Sequence, residues 1–167
     1  REPYRDGLTV INGRLTTAPG GGMCQLSNLL FWMFLHSPLT IVERHGHGSK
    51  DFPEPPSDAP MGVDATLAEG WKDLKVRNDT DHTFQIHIAF DSEQISGQLY
   101  ADRQPALCYS ISNGPVAYRR RQEHIWEEVD VIQTLSDRKT GELQNTRTLY
   151  RNICRIGYTL PEDTVIL

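Results

Sequence analysis

The sequence predicts an α+β protein: one buried central helix packed on antiparallel β-sheet, with a β-rich C-terminal extension. Three observations predict it. Met23 to His36 is the one long stretch of helix-forming residues, and its apolar side chains fall on nearly every side, as in a helix buried within a domain. Elsewhere apolar and polar residues alternate at period two, as at Phe84, Ile86, Ile88 and Phe90. Turn signals separate these runs, and strands follow strands instead of alternating with helices.

Taken in order, residues 1–19 read as a short hairpin or meander. Leu8 to Ile11 is strand-like, Asn12-Gly13 is a two-residue turn signal, and Arg14 to Thr17 returns. Pro19 and Gly20-Gly21-Gly22 then break regular structure. The helix over Met23–His36 ends at Ser37-Pro38. Leu39 to Glu43 is a short strand. Residues 45–62 hold Pro53, Pro55, Pro56 and Pro60 and two histidines, which predicts a long irregular loop of the kind that carries function. From Trp71 the pattern turns to β: Leu74 and Val76, then Phe84 to Phe90, then Gln94 to Tyr100. These read as a meander of three antiparallel strands. In the extension, Val129–Leu135 and Leu143–Tyr150 flank a turn at Asp137-Arg138-Lys139-Thr140-Gly141, and Ile153–Leu160 reads as a closing strand. A boundary near Asp102–Pro105 divides residues 1–102 from an extension over 103–167 that packs on the same core.

The 167 residues suit one domain or one domain plus an extension, and can bury a core without disulfides. Net charge is −5, so the basic stripe of a nucleic-acid binder is missing. Arg119-Arg120-Arg121 is followed by Glu123, Glu127 and Glu128 and reads as a solvated face. The longest apolar run, Leu29 to Leu35, is far short of the ~20 residues a membrane span needs. The chain opens Arg-Glu-Pro without Met, so a processed or cropped product is expected. Three cysteines make an odd count. Cys108 and Cys154, in strand-like surroundings, read as small buried hydrophobes.

Cys24 differs, because it follows three glycines and begins the helix. The first helical N–H groups lack internal partners and carry partial positive charge. A thiolate there is stabilised, and its pKa falls below the free value of ~8.5. Glycine amides beside it can hold a developing oxyanion. The plain alternative is a Gly-rich turn feeding a core helix with Cys24 packed inside. A base in reach favours the chemical reading. Arg44-His45-Gly46-His47-Gly48-Ser49 places two imidazoles in one glycine-flanked loop, and Asp64 follows. His47, freed by its flanking glycines, is the favoured base over His45, whose direction the preceding strand fixes. Asp64 reads either as the orienting acid of a triad or as a turn residue. His36, His82, His87 and His124 sit in ordinary settings.

Three ordered motifs, Gly20-Gly21-Gly22-Met23-Cys24-Gln25-Leu26-Ser27, Ile41-Val42-Glu43-Arg44-His45-Gly46-His47 and Gly62-Val63-Asp64-Ala65-Thr66, resemble the VanW family. Asp73 to Thr80 fits the same pattern, and the resemblance runs from about Tyr4 to about Tyr100. It makes residues 1–102 a VanW-like domain lacking the upstream strand of other members. It implies a vancomycin-resistance-associated protein of the cell envelope, with L,D-transpeptidation through a cysteine on peptidoglycan stem peptides or precursors and no cofactor. Carried over, Cys24 would be the nucleophile, His47 or His45 the base and Asp64 the orienting acid. Gly21, Gly22, Gln25, Ser27 and Arg44 would supply oxyanion and substrate contacts. The chain departs from the commoner motifs at Asn28, after Ser27, and at Gly48, before Ser49. Two other readings compete: a non-catalytic accessory module holding wall precursors, and a zinc site of Cys24, His45, His47 and Asp64, residue types that suit that metal.

Overall fold

The computed structural model describes residues 5–11, 14–19, 21–53, 57–68, 70–92 and 94–167. The class is α+β: among these residues there is one helix, and the rest of the regular structure is β. Strands β1 (Asp6–Ile11) and β2 (Arg14–Pro19) pair antiparallel, Leu8 opposite Thr17 and Thr9 opposite Thr16. The Asn12-Gly13 turn lies outside the described residues. The hairpin is stitched to the start of the helix. Gly22 donates its N–H to the Leu8 carbonyl at 3.0 Å, and a Cβ on Gly21 would lie 2.0 Å from the Gly7 oxygen. Only glycine allows that approach.

Helix α1 (Met23–Leu35) starts at Gly22, whose φ of 85° lies in the left-handed region. It stops where the Ser37 hydroxyl caps the Phe34 carbonyl at 2.7 Å, just before Pro38. Its fully buried side chains are Ser27, Phe31, Phe34 and Leu35, one stripe at helical spacing. The remaining apolar positions are only partly covered, and Met23 is 45% exposed, so the helix is less enclosed than its composition suggests. One flank meets β7 (Ile95–Ala101) closely: a Cβ on Gly97 would lie 2.7 Å from the Met33 sulfur.

The largest sheet has five strands: β4 (Ser49–Lys50), β8 (Leu107–Asn113), β9 (Ala117–Arg121), β10 (His124–Asp137) and β11 (Leu143–Ile156). Its spine is the β10–β11 hairpin. Both strands run 14 residues and bend at register shifts after Val131 and Leu135, as bulges do. The expected closing strand at Ile153–Leu160 is therefore the end of β11, which runs unbroken from Leu143 to Ile156. A buried polar residue, Asn152, lies within that strand; its partner, described below, explains why the polarity does not end it.

Two other expectations change. The three-strand meander is a two-stranded hairpin, β6 (Phe84–Phe90) with β7, while β5 (Lys75–Arg77) pairs with β3 (Thr40–Glu43). Alternation identifies a strand but not its partner. Nor is the apolar face of β6 wholly buried, since Ile86 is 46% and Phe90 71% exposed. Proline and glycine also do not exclude all regular structure from the 45–62 loop. Ser49–Lys50 forms a short parallel pair with Arg155–Ile156 of β11. The Arg119–Arg121 face is solvated as expected, with Arg119 and Arg121 both paired to Glu128. The core unites Phe31 and Leu35 of α1, Val63 and Ala65 of the following loop, and Val131 of β10.

Candidate active site

Cys24 is the second residue of α1 and partly buried. Two groups converge on its sulfur: the His47 side chain and the main-chain N–H of Leu67. The hydrogen bond from His47 is the largest influence and lowers the thiol pKa; burial opposes it, and the Leu67 amide lowers it further. The thiol therefore sits below its ordinary value.

His47 is held from behind by Asp64. Its ring Nδ1 lies 2.5 Å from Asp64 Oδ2, and its main-chain N–H donates to the same oxygen at 2.7 Å. With Nδ1 so occupied, Nε2 is the nitrogen left for Cys24. The hydrogen bond with Asp64, then that with Cys24, raises the His47 pKa to about 9. Near neutral pH His47 is therefore an imidazolium beside a thiol whose pKa is lowered, and Asp64 fixes the ring as the acid of a triad does.

Asp64 is fixed in turn by Arg44. Burial pushes its carboxyl up, but the His47 hydrogen bond and the Arg44 charge outweigh it, and the group stays below its ordinary pKa. Arg44 pairs with Asp64 Oδ1. Its Nε donates to the Asp64 carbonyl at 2.6 Å, and Nη2 to the Gly62 carbonyl at 2.9 Å and Asn152 Oδ1 at 3.3 Å. The guanidinium lies 4.4 Å from the Tyr150 ring centroid and 5.6 Å from that of Phe31. A planar fork with many donors, able to stack on aromatic faces, suits this buried place better than a lysine. Tyr150 closes the cluster by donating its hydroxyl to the Gly62 carbonyl at 3.0 Å.

The segment carrying Asp64 is pinned to α1 by two side chains. The buried Ser27 hydroxyl donates to the Ala65 carbonyl at 2.5 Å, and Asn28 Oδ1 accepts the Ala65 N–H at 2.7 Å. On the opposite edge Thr66 donates to the His45 carbonyl at 2.7 Å. Asp64 and Leu67 are thereby set in register with Cys24.

Several expected contacts are thus redirected. Ser27 is sealed against Ala65, and Arg44 is committed to Asp64, so neither presents a free group to a substrate. The Gly21 and Gly22 amides are taken by the Ala18 and Leu8 carbonyls, both at 3.0 Å, and are not available to an oxyanion. Gln25 is exposed. His45 turns to Glu43, its Nε2 lying 3.0 Å from Oε1, because the β3 direction carries it away from the helix start. The four residues of the zinc alternative do not converge: His45 is elsewhere and Asp64 is consumed by Arg44 and His47. Among the described residues no cluster of three or more His, Cys, Asp or Glu side chains is arranged to hold a metal. Leu67, Asn28, Asn152 and Tyr150 were not among the sequence-derived candidates. A main-chain donor leaves no residue-type signal, and Asn152 comes from a strand 108 residues from Arg44.

Cys24 should be the most reactive thiol. Labelling with iodoacetamide at about pH 6, well below the free thiol range, should modify Cys24 before Cys108 and before Cys154, which is fully buried. Peptide mapping that finds Cys108 labelled as fast would remove the activated-thiolate assignment.

The family model described as VanW like protein matches residues 1–100. The chain is 56% identical over 164 residues to the Vancomycin B-type resistance protein VanW of Enterococcus faecalis, an alignment covering 98% of this chain and 60% of that protein. It is also 33% identical over 83 residues to the Uncharacterized protein YoaR of Bacillus subtilis, covering 50% of this chain and 26% of that protein. No solved structure matches.

Proposed function

Because the chain belongs to the VanW family, we propose that it is a cysteine acyl-transferase of the cell envelope, acting on peptidoglycan stem peptides as an L,D-transpeptidase. The observation that carries this reading is His47, placed between the Cys24 sulfur and the Asp64 carboxylate. The chain spans 60% of the length of its enterococcal relative, whose name supports a role in vancomycin resistance. A cross-linker that does not require a D-Ala-D-Ala end bypasses the drug's target.

The Cys24 thiolate attacks the carbonyl carbon of a diamino-acid residue, and an S–C bond forms. The His47 imidazolium gives its Nε2 proton to the departing amine as the C–N bond breaks, releasing the terminal D-residue and leaving a thioester. An acceptor amine then attacks the thioester. Its proton passes to His47 Nε2, an amide forms, and the thiolate is regenerated as the S–C bond breaks. The negative oxygen of each tetrahedral intermediate falls to main-chain N–H groups at the first turn of α1 and at Leu67, donors of the kind that stabilise such charge. Asp64 keeps His47 in one tautomer throughout.

The test is mass spectrometry of the protein after incubation with tetrapeptide muropeptides. The expected result is a mass increase on Cys24 equal to the muropeptide less the free terminal amino acid it releases. A protein that turns over muropeptides without any adduct passing through Cys24 overturns the reading.

A further inference from the structure

Beside the Cys24 site runs an open cleft of about 570 Å³, lined by Glu43, Leu67, Lys72, Asp73, Lys75 and the indole of Trp71, with Ala68 and Gly70 completing its wall. Leu67 belongs to both places: its N–H meets the Cys24 sulfur and its residue lines the cleft. The turn forming one wall is tightly held. Ala68 and Lys72 exchange main-chain hydrogen bonds at 3.1 and 3.0 Å, and Gly70 supplies a φ of 82°. Trp71 is displayed on this turn with 70% of its surface exposed.

The charges in the cleft are not equivalent. Lys75 is paired with Glu43 at 2.6 Å, and Glu43 also engages His45. Lys75 first and His45 second hold the Glu43 carboxyl down to about 2. Lys72 has no carboxylate partner among the described residues. Its ammonium sits 4.2 Å from the centroid of the Trp71 ring, a contact that fixes a cation without neutralising it. An ammonium held over an exposed aromatic ring, in a cleft that shares Leu67 with the Cys24 site, suits a carboxylate.

We infer that Lys72, seated on Trp71, binds the terminal carboxylate of the residue that leaves when Cys24 is acylated. This rests on the acyl-transfer reading above and adds its specificity. The carboxylate lies one residue beyond the attacked carbonyl, roughly 3.5 Å of extended chain, and the cleft that would receive it shares Leu67 with the Cys24 site. The ion pair positions the scissile carbonyl over the thiolate. As the C–N bond breaks, the leaving amine takes the His47 proton while the carboxylate stays ionised on Lys72, and the amino acid departs into the open cleft. Stem peptides ending one residue after the attacked carbonyl are preferred over those that continue or whose end is blocked.

The experiment compares a tetrapeptide stem bearing a free terminal carboxylate with the same peptide as its carboxamide. The readout is the rate of thioester formation on Cys24. The wild-type protein should prefer the acid by about tenfold, the worth of one charge-assisted hydrogen bond in a partly exposed setting. In Lys72→Gln the acid-to-amide ratio should fall to near one, and Lys72→Arg should restore most of it. A wild-type ratio near one, or a ratio unchanged in Lys72→Gln, overturns the inference while leaving acyl transfer intact. Failure of both peptides to form a thioester removes the acyl-transfer reading instead. Equilibrium binding of acid and amide to the Cys24→Ser protein then decides the carboxylate site by itself: equal affinities overturn it, and tighter binding of the acid that is lost on adding Lys72→Gln upholds it.

Discussion

Cys24→Ser is expected to abolish the thioester and to slow cross-link formation by roughly 10⁴-fold or more, the scale on which loss of a nucleophile from a coupled triad acts. His47→Ala should cost about 10²- to 10⁴-fold, the contribution of a positioned acid–base group. His45→Ala should do little, because its ring serves Glu43 and not the sulfur. The pH profile follows from the same pair. Thioester formation should rise as pH passes the lowered Cys24 pKa, because the attacking species is the thiolate. It should fall as pH passes about 9, where His47 loses the proton that the leaving amine needs. Alkylation of Cys24 needs the thiolate but no proton donor, so its rate should keep no such alkaline fall. The same alkaline limb in both profiles would deny His47 its role as acid. A Cys24→Ser protein that retains cross-linking would take the nucleophile's role from Cys24, and one that lacks cross-linking yet fully retains its biological function would make the chain an accessory module.

The parts of this arrangement that were legible in the sequence are those that local chemistry dictates. Three glycines before an apolar run gave the helix start, and Gly46 and Gly48 around His47 marked the one imidazole free to be aimed. Period-two alternation gave the strands β6 and β7. What escaped depended on distant partners. Nothing local says that β5 joins β3 instead of β6, since a strand's alternation is the same beside any neighbour. Ser27 looks like a substrate contact because polar residues beside a nucleophile usually face outward, and Asn28 stands out only as a departure from the commoner motif. Here they face the Ala65 backbone, and that is visible only once the 63–66 segment is laid along the helix. Arg44 has the same explanation. A lone arginine next to a histidine loop suggests a ligand for anions, whereas its real surroundings are Asp64, the Gly62 carbonyl and two aromatic rings.

Glu127→Ala should be among the most damaging single changes in the chain, although Glu127 lies outside the segment matched by the family model. Its side chain is 1% exposed and meets Lys50 Nζ, itself 9% exposed, at 2.6 Å. The Tyr118 hydroxyl donates to its other oxygen at 3.2 Å, and burial first, then the Glu127 charge, raises the Tyr118 pKa to about 12, so that it remains a donor. Removing Glu127 takes away the buried carboxylate that Lys50 and the Tyr118 hydroxyl share, and breaking a buried pair costs up to about 3–5 kcal/mol. For a chain of this size that lowers the melting temperature by on the order of 10 °C. The consequence reaches the site because Lys50 ends the short strand that follows His47 and Gly48. Arg155 donates to the Gly48 carbonyl at 3.0 Å, and Gly157 to the Lys50 carbonyl at 2.8 Å. The C-terminal sheet therefore anchors the His47 loop on one side, while Asn152 and Tyr150 brace Arg44 on the other. In Glu127→Ala the loosened loop should let the Cys24 thiol rise toward its free value, read as a shift to higher pH in the thiolate absorbance titration. The double variant Lys50→Met with Glu127→Leu replaces the pair by apolar contacts and should recover most of the stability. If its thiolate titration also returns to the wild-type position, main-chain pairing of β4 with β11 is enough to place His47. A titration unchanged in Glu127→Ala, despite the lowered melting temperature, would uncouple this sheet from the candidate site.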